Sequence, residues 1–198
     1  MVAESGAMSV VERPFPPFDV NQNVRPFRQF LTDDGLPTGS EDMLVDGSVT
    51  PVDFFVEAPQ DRDLYVTRLS VIVVDQNMTL NQFGNIGALT NGLRLFYTDE
   101  LGEVDIAEVL QTNFDIVRLC SGLPSFGDGT TAFIANNVDF ISEGIIPILD
   151  FKDTFGFRWG LELQNGSVQK LTLRVRDDIT GIDAMNVITY GFLRLPDR

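Results

Sequence analysis

The chain of 198 residues has no histidine and only one cysteine. Without histidine, the Ser-His-Asp and Cys-His nucleophile systems, the His-ligated zinc hydrolases and the two-His iron triad are excluded. The single cysteine, Cys120, allows neither an internal disulfide nor a thiolate zinc cluster, and we expect it to be a small buried hydrophobic residue. Much of the chemistry that enzymes use is therefore missing from this sequence.

Positive charge is also scarce, because 14 Lys and Arg stand against 29 Asp and Glu, which gives a net charge of −15. A field of this sign opposes binding to nucleic acid or to an anionic membrane. The longest apolar runs, residues 71–74 and 145–149, are far shorter than the roughly 20 residues of a membrane-spanning helix. Residues 1–11 lack the basic and apolar parts of a secretory signal. We expect protein partners, with no nucleic acid, no membrane and no export by the usual route.

Residues 1–48 differ in composition from the rest of the chain, since they hold five of the ten prolines and show neither helical nor strand periodicity. Proline disfavours helix for itself and for the residue before it, so residues 13–18, Arg-Pro-Phe-Pro-Pro-Phe, should be extended. Phenylalanines are not typical of a solvated linker. We therefore expect an N-terminal arm that binds a surface of its own domain or of a neighbour. Its candidate contact residues are Phe15, Phe18, Phe27, Phe30, Pro16 and Pro17.

Residues 49–198 consist of short runs rich in Val, Ile, Leu, Phe and Thr between Gly, Asn, Asp and Pro, which predicts an all-β domain, an antiparallel β-sandwich of jelly-roll type. The strongest hairpin signal is Asn165-Gly166, which tolerates the positive φ angles of a tight turn. Residues 104–110 could equally form a short helix. We expect strands near residues 51–57, 63–74, 91–98, 103–111, 114–119, 131–140, 145–151, 156–164, 168–177 and 185–195.

The positive residues are twelve arginines and two lysines. Arginine is enriched in protein interfaces and binds carboxylates through two hydrogen bonds. Arg158, Arg174, Arg176 and Arg194 lie in consecutive predicted strands. They are either ordinary surface charge or a basic stripe that faces an acidic face of the next copy in a ring or trimer.

Carboxylates are the remaining candidates for chemistry. Glycoside hydrolysis needs two of them on either side of a bond, but consecutive residues of an extended chain point to opposite faces, so we interpret Asp177 and Asp178 as a turn. Asp75 and Asn77 have the spacing of calcium ligands but lack the glycine and distal glutamate of an EF-hand, and turn capping is the better interpretation. We predict no catalytic residue, no metal ligand and no cofactor.

Three blocks of the sequence resemble small structural proteins of tailed bacteriophage virions. They are Leu-Tyr-Val-Thr-Arg-Leu-Ser-Val at 64–71, Phe-Gly-Asn and Ala-Leu-Thr-Asn-Gly-Leu within 83–93, and Leu-Thr-Leu-Arg-Val-Arg-Asp-Asp-Ile-Thr-Gly at 171–181. The resemblance covers about residues 50–195, and the arm lies outside it. It implies a non-enzymatic virion protein that is present in many symmetric copies.

Three functions follow as hypotheses. The first is a capsid decoration, or cement, protein whose domain sits on the head while the arm reaches the major capsid protein or other virion proteins, with the chain as a homo-oligomer, preferably a trimer. The second is a neck or tail protein, such as a collar, adaptor or fibre-attachment protein. The third, of another class, is a carbohydrate-binding adhesion module. It would need Trp159 and Tyr190 as a stacking platform, although we expect them in a core or an interface.

Overall fold

The computed structural model describes residues 24–32, 45–121, 138–141 and 144–195, with side chains for 45–119 and 148–195. In this part of the chain there are ten strands and two helices. The strands are β1 (Val24–Thr32), β2 (Val52–Glu57), β3 (Asp63–Val74), β4 (Leu93–Asp99), β5 (Gly102–Leu110), β6 (Val138–Ile141), β7 (Gly144–Asp150), β8 (Leu161–Leu163), β9 (Lys170–Val175) and β10 (Ala184–Arg194). The helices are α1 (Asn113–Ser121) and α2 (Phe151–Phe155).

The strands form two antiparallel sheets, so the predicted all-β class is confirmed. A six-stranded sheet has the order β1-β10-β3-β7-β6, with β8 also paired to β3, and a four-stranded sheet has the order β2-β9-β4-β5. Neither α1 nor α2, nor any other helix in the described ranges, is long and apolar enough to cross a membrane.

One buried apolar cluster receives side chains from both sheets. Phe54 and Leu95 come from the four-stranded sheet, and Leu69 and Val187 come from the six-stranded sheet. These four residues also line a cavity of about 10 Å³. Because strand residues alternate between faces, the opposite face of each sheet is left for other contacts.

Most of the predicted strands of the domain are confirmed within a few residues. Strand β3 matches its predicted range, and residues 104–110 belong to β5, so the alternative of a helix there is wrong. Of the predicted strand 131–140, residues 131–137 lie outside the described part of the chain. The predicted strand 156–164 is shorter in the structure, where β8 begins at Leu161.

The predicted strand at residues 114–119 is wrong, because this segment is helix α1. The cause is a capping arrangement at its first turn. The Thr112 hydroxyl accepts a hydrogen bond from the Asp115 amide, while the Asp115 carboxylate accepts from the Thr112 amide and hydroxyl. These reciprocal bonds satisfy amide groups that a helix start leaves open. Cys120 lies in this helix, and its side chain is outside the described set.

The predicted hairpin at Asn165-Gly166 is also wrong. Strand β8 pairs with β3 in the six-stranded sheet, and β9 pairs with β2 and β4 in the other sheet. Gly166 has a positive φ of 68°, but Asn165 does not, whereas a type I′ hairpin turn needs both. The Asn165 amide and side chain instead donate to the Asp63 carboxylate, at 3.0 and 2.8 Å. The turn therefore carries the chain from one sheet to the other.

Part of the segment assigned to the arm forms β1. All nine residues of this strand pair in antiparallel register with β10, and Phe27 and Phe30 stand opposite Gly191 and Ile188. Strand β1 covers the edge of β10, as an arm that binds its own domain would. Phe15, Pro16, Pro17 and Phe18 lie outside the described residues, so their contacts and the domain boundary at residue 48 stay predictions.

Candidate interaction surface

A β-bulge shapes the outer face of the six-stranded sheet. Residues Tyr190 and Gly191 of β10 pair with Arg68 and Val66 of β3, which leaves Thr67 as the extra residue. The Thr67 hydroxyl donates a hydrogen bond to the Tyr190 carbonyl, at 3.1 Å. The core-facing positions of β3 consequently change from even to odd numbers at the bulge, and Tyr65 is on the outer face.

Two glycines allow the chain to approach β3 closely at this place. A Cβ atom at Gly191 would overlap the carbonyl of Tyr65, and one at Gly160 would overlap the carbonyl of Val66. Gly160 also has a φ of 101°, which other residues rarely adopt. The close approach brings Trp159, which precedes Gly160, next to Tyr65.

The aromatic side chains at this place form a cluster. The rings of Tyr65 and Phe192 are stacked, with centroids 4.9 Å apart and planes 8° from parallel. Trp159 meets Tyr65 edge to face, with centroids 6.3 Å apart. Tyr65 is buried at the centre of the cluster, whereas Trp159 and Phe192 are half-buried. Both geometries are favourable for aromatic pairs.

Two arginines border the aromatic cluster. The guanidinium of Arg158 lies over the Trp159 ring, 5.3 Å from its centroid, and Arg194 Nη1 donates to the Tyr65 hydroxyl at 3.4 Å. Burial raises the pKa of Tyr65 to about 12; the charge of Glu162 acts in the same direction, and Arg194 acts against it. The phenol is therefore neutral at physiological pH. We call these five residues, Tyr65, Arg158, Trp159, Phe192 and Arg194, the aromatic–arginine surface.

The four arginines predicted as a basic stripe do not form one. Arg158 and Arg194 both belong to the aromatic–arginine surface. Arg174 lies on the four-stranded sheet, and Arg176 follows the same strand. The stripe was wrong because the turn after β8 moves the chain to the other sheet, so strands consecutive in sequence are not neighbours. That any of the four contacts another subunit stays a prediction.

Arg174 and Arg176 have other partners. Arg174 binds the Asp53 carboxylate through two hydrogen bonds of 2.7 and 2.8 Å on the outer face of the four-stranded sheet. Arg176 donates to the backbone carbonyls of Asn91 and Glu108, at 2.6 and 2.8 Å. Arg176 therefore links the Asn91-Gly92 loop to strand β5 of its own chain.

The Asn-Gly and Asp-Asp motifs that carry the phage resemblance bind each other. The Asp177 carboxylate accepts hydrogen bonds from the amides of Asn91 and Gly92 and from the Asn91 side chain. Its neighbour Asp178 accepts from the amide and hydroxyl of Thr180, which confirms the predicted turn. These motif residues hold the loops at one end of the two sheets.

The Phe-Gly-Asn motif is held by a second aspartate. Asp75 is 1% exposed and accepts hydrogen bonds from the amides of Gln76 and Asn85 and from the Asn85 side chain. The expectation that Asp75 caps a turn is therefore confirmed. In the described part of the chain, no three Asp, Glu, Cys or His side chains lie together as a metal site would require.

Sequence reasoning found Arg158 and Arg194 but missed Tyr65 and Phe192. In β3 the core-facing apolar residues have even numbers up to Val66 and odd numbers from Leu69 onward. This change is the sign that the strand holds an extra residue, and it puts Tyr65 on the outer face. The sequence therefore contained a signal for the position of Tyr65. It contained no signal for Phe192, because the stacking of Phe192 on Tyr65 depends on which strands pair.

Comparison with protein-family models, with curated proteins and with solved structures finds no match to this chain.

Proposed function

We propose that this chain is a non-enzymatic structural protein of a tailed bacteriophage virion, and that it serves as a capsid decoration protein. In this proposal the two sheets pack as a jelly-roll-like sandwich on the outside of the head, and the chain acts as a homo-oligomer, preferably a trimer. The resemblance of three sequence blocks to phage structural proteins supports the proposal. So does the acidic body, with its net charge of −15, which suits an exposed protein that must stay soluble.

The observation that carries the proposal is the aromatic–arginine surface. Trp, Tyr and Arg are the residue types that dominate the energetics of protein interfaces. Tyr65 lies on β3, and Phe192 and Arg194 lie on β10, next to the bulge at Thr67, whereas Arg158 and Trp159 lie in the segment before β8. The part of the surface that is built on paired strands keeps its geometry, which reduces the entropy lost when a partner binds.

The arm supplies the second contact in this proposal. Strand β1 covers the edge of β10, and Val24 at its start is opposite Arg194 of the aromatic–arginine surface. Val24, to which residues 1–23 are joined, therefore lies beside that surface. Phe15 and Phe18 would insert into pockets of the major capsid protein as anchors.

An add-back experiment tests this proposal. Particles are produced from the phage genome with this gene deleted, the purified chain is added, and the bound protein per particle is measured. We expect the full chain to bind, and we expect deletion of residues 1–22 or the change Arg158→Glu to reduce binding strongly. Lys170→Glu makes the same change of charge on the four-stranded sheet and should bind normally. Equal binding of all variants, or no binding of the full chain, would contradict the proposal.

A neck or tail location is the alternative within the virion. It uses the same surface and arm, but in a single ring rather than on a lattice. The position of the bound chain on the particle, seen by electron microscopy, separates the two, since decoration requires density over the head.

A carbohydrate-binding module is the second candidate function, and one observation favours it. Trp159 is half-buried and stands at the margin of an aromatic cluster, and an indole ring is a suitable stacking platform for a sugar. Binding of the purified chain to a glycan array, lost in Trp159→Ala, would favour this function over the virion proposal.

A further inference from the structure

The aromatic–arginine surface lies where the chain enters β1. In the register of β1 with β10, Val24 is opposite Arg194 and Pro26 is opposite Phe192. Arg194 in turn contacts Tyr65, whose ring is 6.3 Å from Trp159. The residues that precede Val24 therefore start next to this surface.

Those preceding residues include a segment suited to an aromatic surface. Residues 13–18 read Arg-Pro-Phe-Pro-Pro-Phe, with three prolines and two phenylalanines in six positions. Proline restricts such a segment to the polyproline II conformation, which loses little entropy when it binds. Protein domains that recognise polyproline II segments do so with grooves lined by aromatic side chains. The half-buried rings of Trp159 and Phe192 provide surface of this kind.

The connection between segment and surface is long enough for contact within one chain. Residues 19–23 separate Phe18 from Val24, and at about 3.1 Å per residue this stretch spans up to about 20 Å. The aromatic–arginine surface is smaller than this reach, since the Tyr65 ring centroid lies 4.9 Å from that of Phe192 and 6.3 Å from that of Trp159. Asp19, Asn21 and Asn23 are residue types that favour turns, as a chain reversing from β1 onto the sheet requires.

We propose that residues 13–18 dock on the aromatic–arginine surface of their own chain. Phe15 and Phe18 contact Trp159 and Phe192, and the short connection gives the segment a high effective concentration at the surface. The docked segment covers its phenylalanines before assembly, when their exposure would favour aggregation. This inference goes beyond the proposed function: a virion partner would have to displace the segment to reach both the arm and the surface.

Trp159 is the single tryptophan of the chain, so its fluorescence reports directly on the surface. We expect deletion of residues 1–22 to shift the Trp159 emission to the red and to increase its quenching by acrylamide. The full-length variant Phe15→Ser/Phe18→Ser should show the same changes. A synthetic peptide of residues 10–22, added to the deleted chain, should reverse them. The same peptide with both phenylalanines replaced by serine should not.

Phe55→Ser is the matched control. Phe55 is 42% exposed on the four-stranded sheet, so its loss removes a comparable aromatic ring far from the surface and should leave the Trp159 emission unchanged. Circular dichroism checks that each variant is folded. If the chain without residues 1–22 does not fold, the full-length double variant, which changes only two side chains, still tests the proposal.

Two results would overturn the proposal. The first is unchanged emission and quenching in the folded Phe15→Ser/Phe18→Ser variant. The second is emission of the full chain that depends on protein concentration, because the occupant would then be a second copy. All these measurements use the free protein, so their failure is distinguishable from a failure to bind particles.

Discussion

Single polar side chains decide how the loops at one end of the two sheets are held. Asp177 is 8% exposed and accepts hydrogen bonds from the Asn91-Gly92 loop, whereas its neighbour Asp178 is exposed and accepts from the amide and hydroxyl of Thr180. Charge-assisted hydrogen bonds to buried groups contribute more than exposed ones. The two adjacent aspartates should therefore differ in their effect on stability.

Asp177→Asn should lower the free energy of unfolding by about 2 kcal/mol, because the new NH₂ group cannot accept from the amides it faces. Asp178→Asn is the control and should change it by less than about 0.5 kcal/mol. Denaturation of both variants in urea measures the difference. Equal effects at the two positions would show that the Asp177 hydrogen bonds do not stabilise the loop.

Thr189 is the opposite case, because removal of its hydroxyl should stabilise the domain. Its hydroxyl is buried without a hydrogen-bond partner in the described part of the chain, and it lines the cavity beside Phe54 and Leu69. Thr189→Val keeps the shape and removes the unpaired hydroxyl, so the free energy of unfolding should rise by about 1 kcal/mol.

Thr67→Val is the control for this prediction, because the Thr67 hydroxyl does donate a hydrogen bond, to Tyr190. It should lower the free energy of unfolding by about 1 kcal/mol. Thermal unfolding of both variants shows whether each change raises or lowers the stability. A loss of stability in Thr189→Val would mean that its hydroxyl has a partner.

At the scale of elements, strand β1 agrees with one of the two alternatives for the arm, binding to its own domain. It pairs along nine residues with β10, which without it would be an edge strand with open backbone groups. Open edges associate with other chains. The part of the arm from Val24 onward should therefore stabilise the domain by closing this edge.

Deletion of residues 1–32 should lower the free energy of unfolding by more than deletion of residues 1–22 does, and it should cause self-association through the open edge of β10. Urea denaturation and light scattering on the two truncated chains measure both effects. If the longer deletion has the stability and mass of the shorter one, the pairing of β1 with β10 contributes nothing to the domain.

The elements that the sequence predicted well are those that a local pattern determines. Strand β3 was predicted from its run of β-branched and apolar residues, whereas the sequence left strand and helix equally open for residues 104–110 of β5. Helix α1 was missed although Thr112 and Asp115 have the spacing of a capping pair. The partners of β8 and β9 could not be predicted, because the turn at Gly166 is compatible with pairing in one sheet or passage between two.

At the scale of the whole molecule, two distant parts of the sequence combine in the candidate site. Tyr65 and Phe192 are 127 positions apart, and their contact results from the pairing of β3 with β10. The sequence indicated the all-β class and the acidic composition. It could not show which arginines meet aromatic rings, since that depends on strand order.

At this scale we propose that the chain is a structural component of a virion, present in many copies. Quantitative mass spectrometry of purified particles of the phage proposed to encode the chain gives its copy number, and electron microscopy locates the copies. We expect a copy number comparable to that of the major capsid protein and density on the outside of the head. Absence of the chain from purified particles would contradict the account, and a single ring at the neck would contradict decoration.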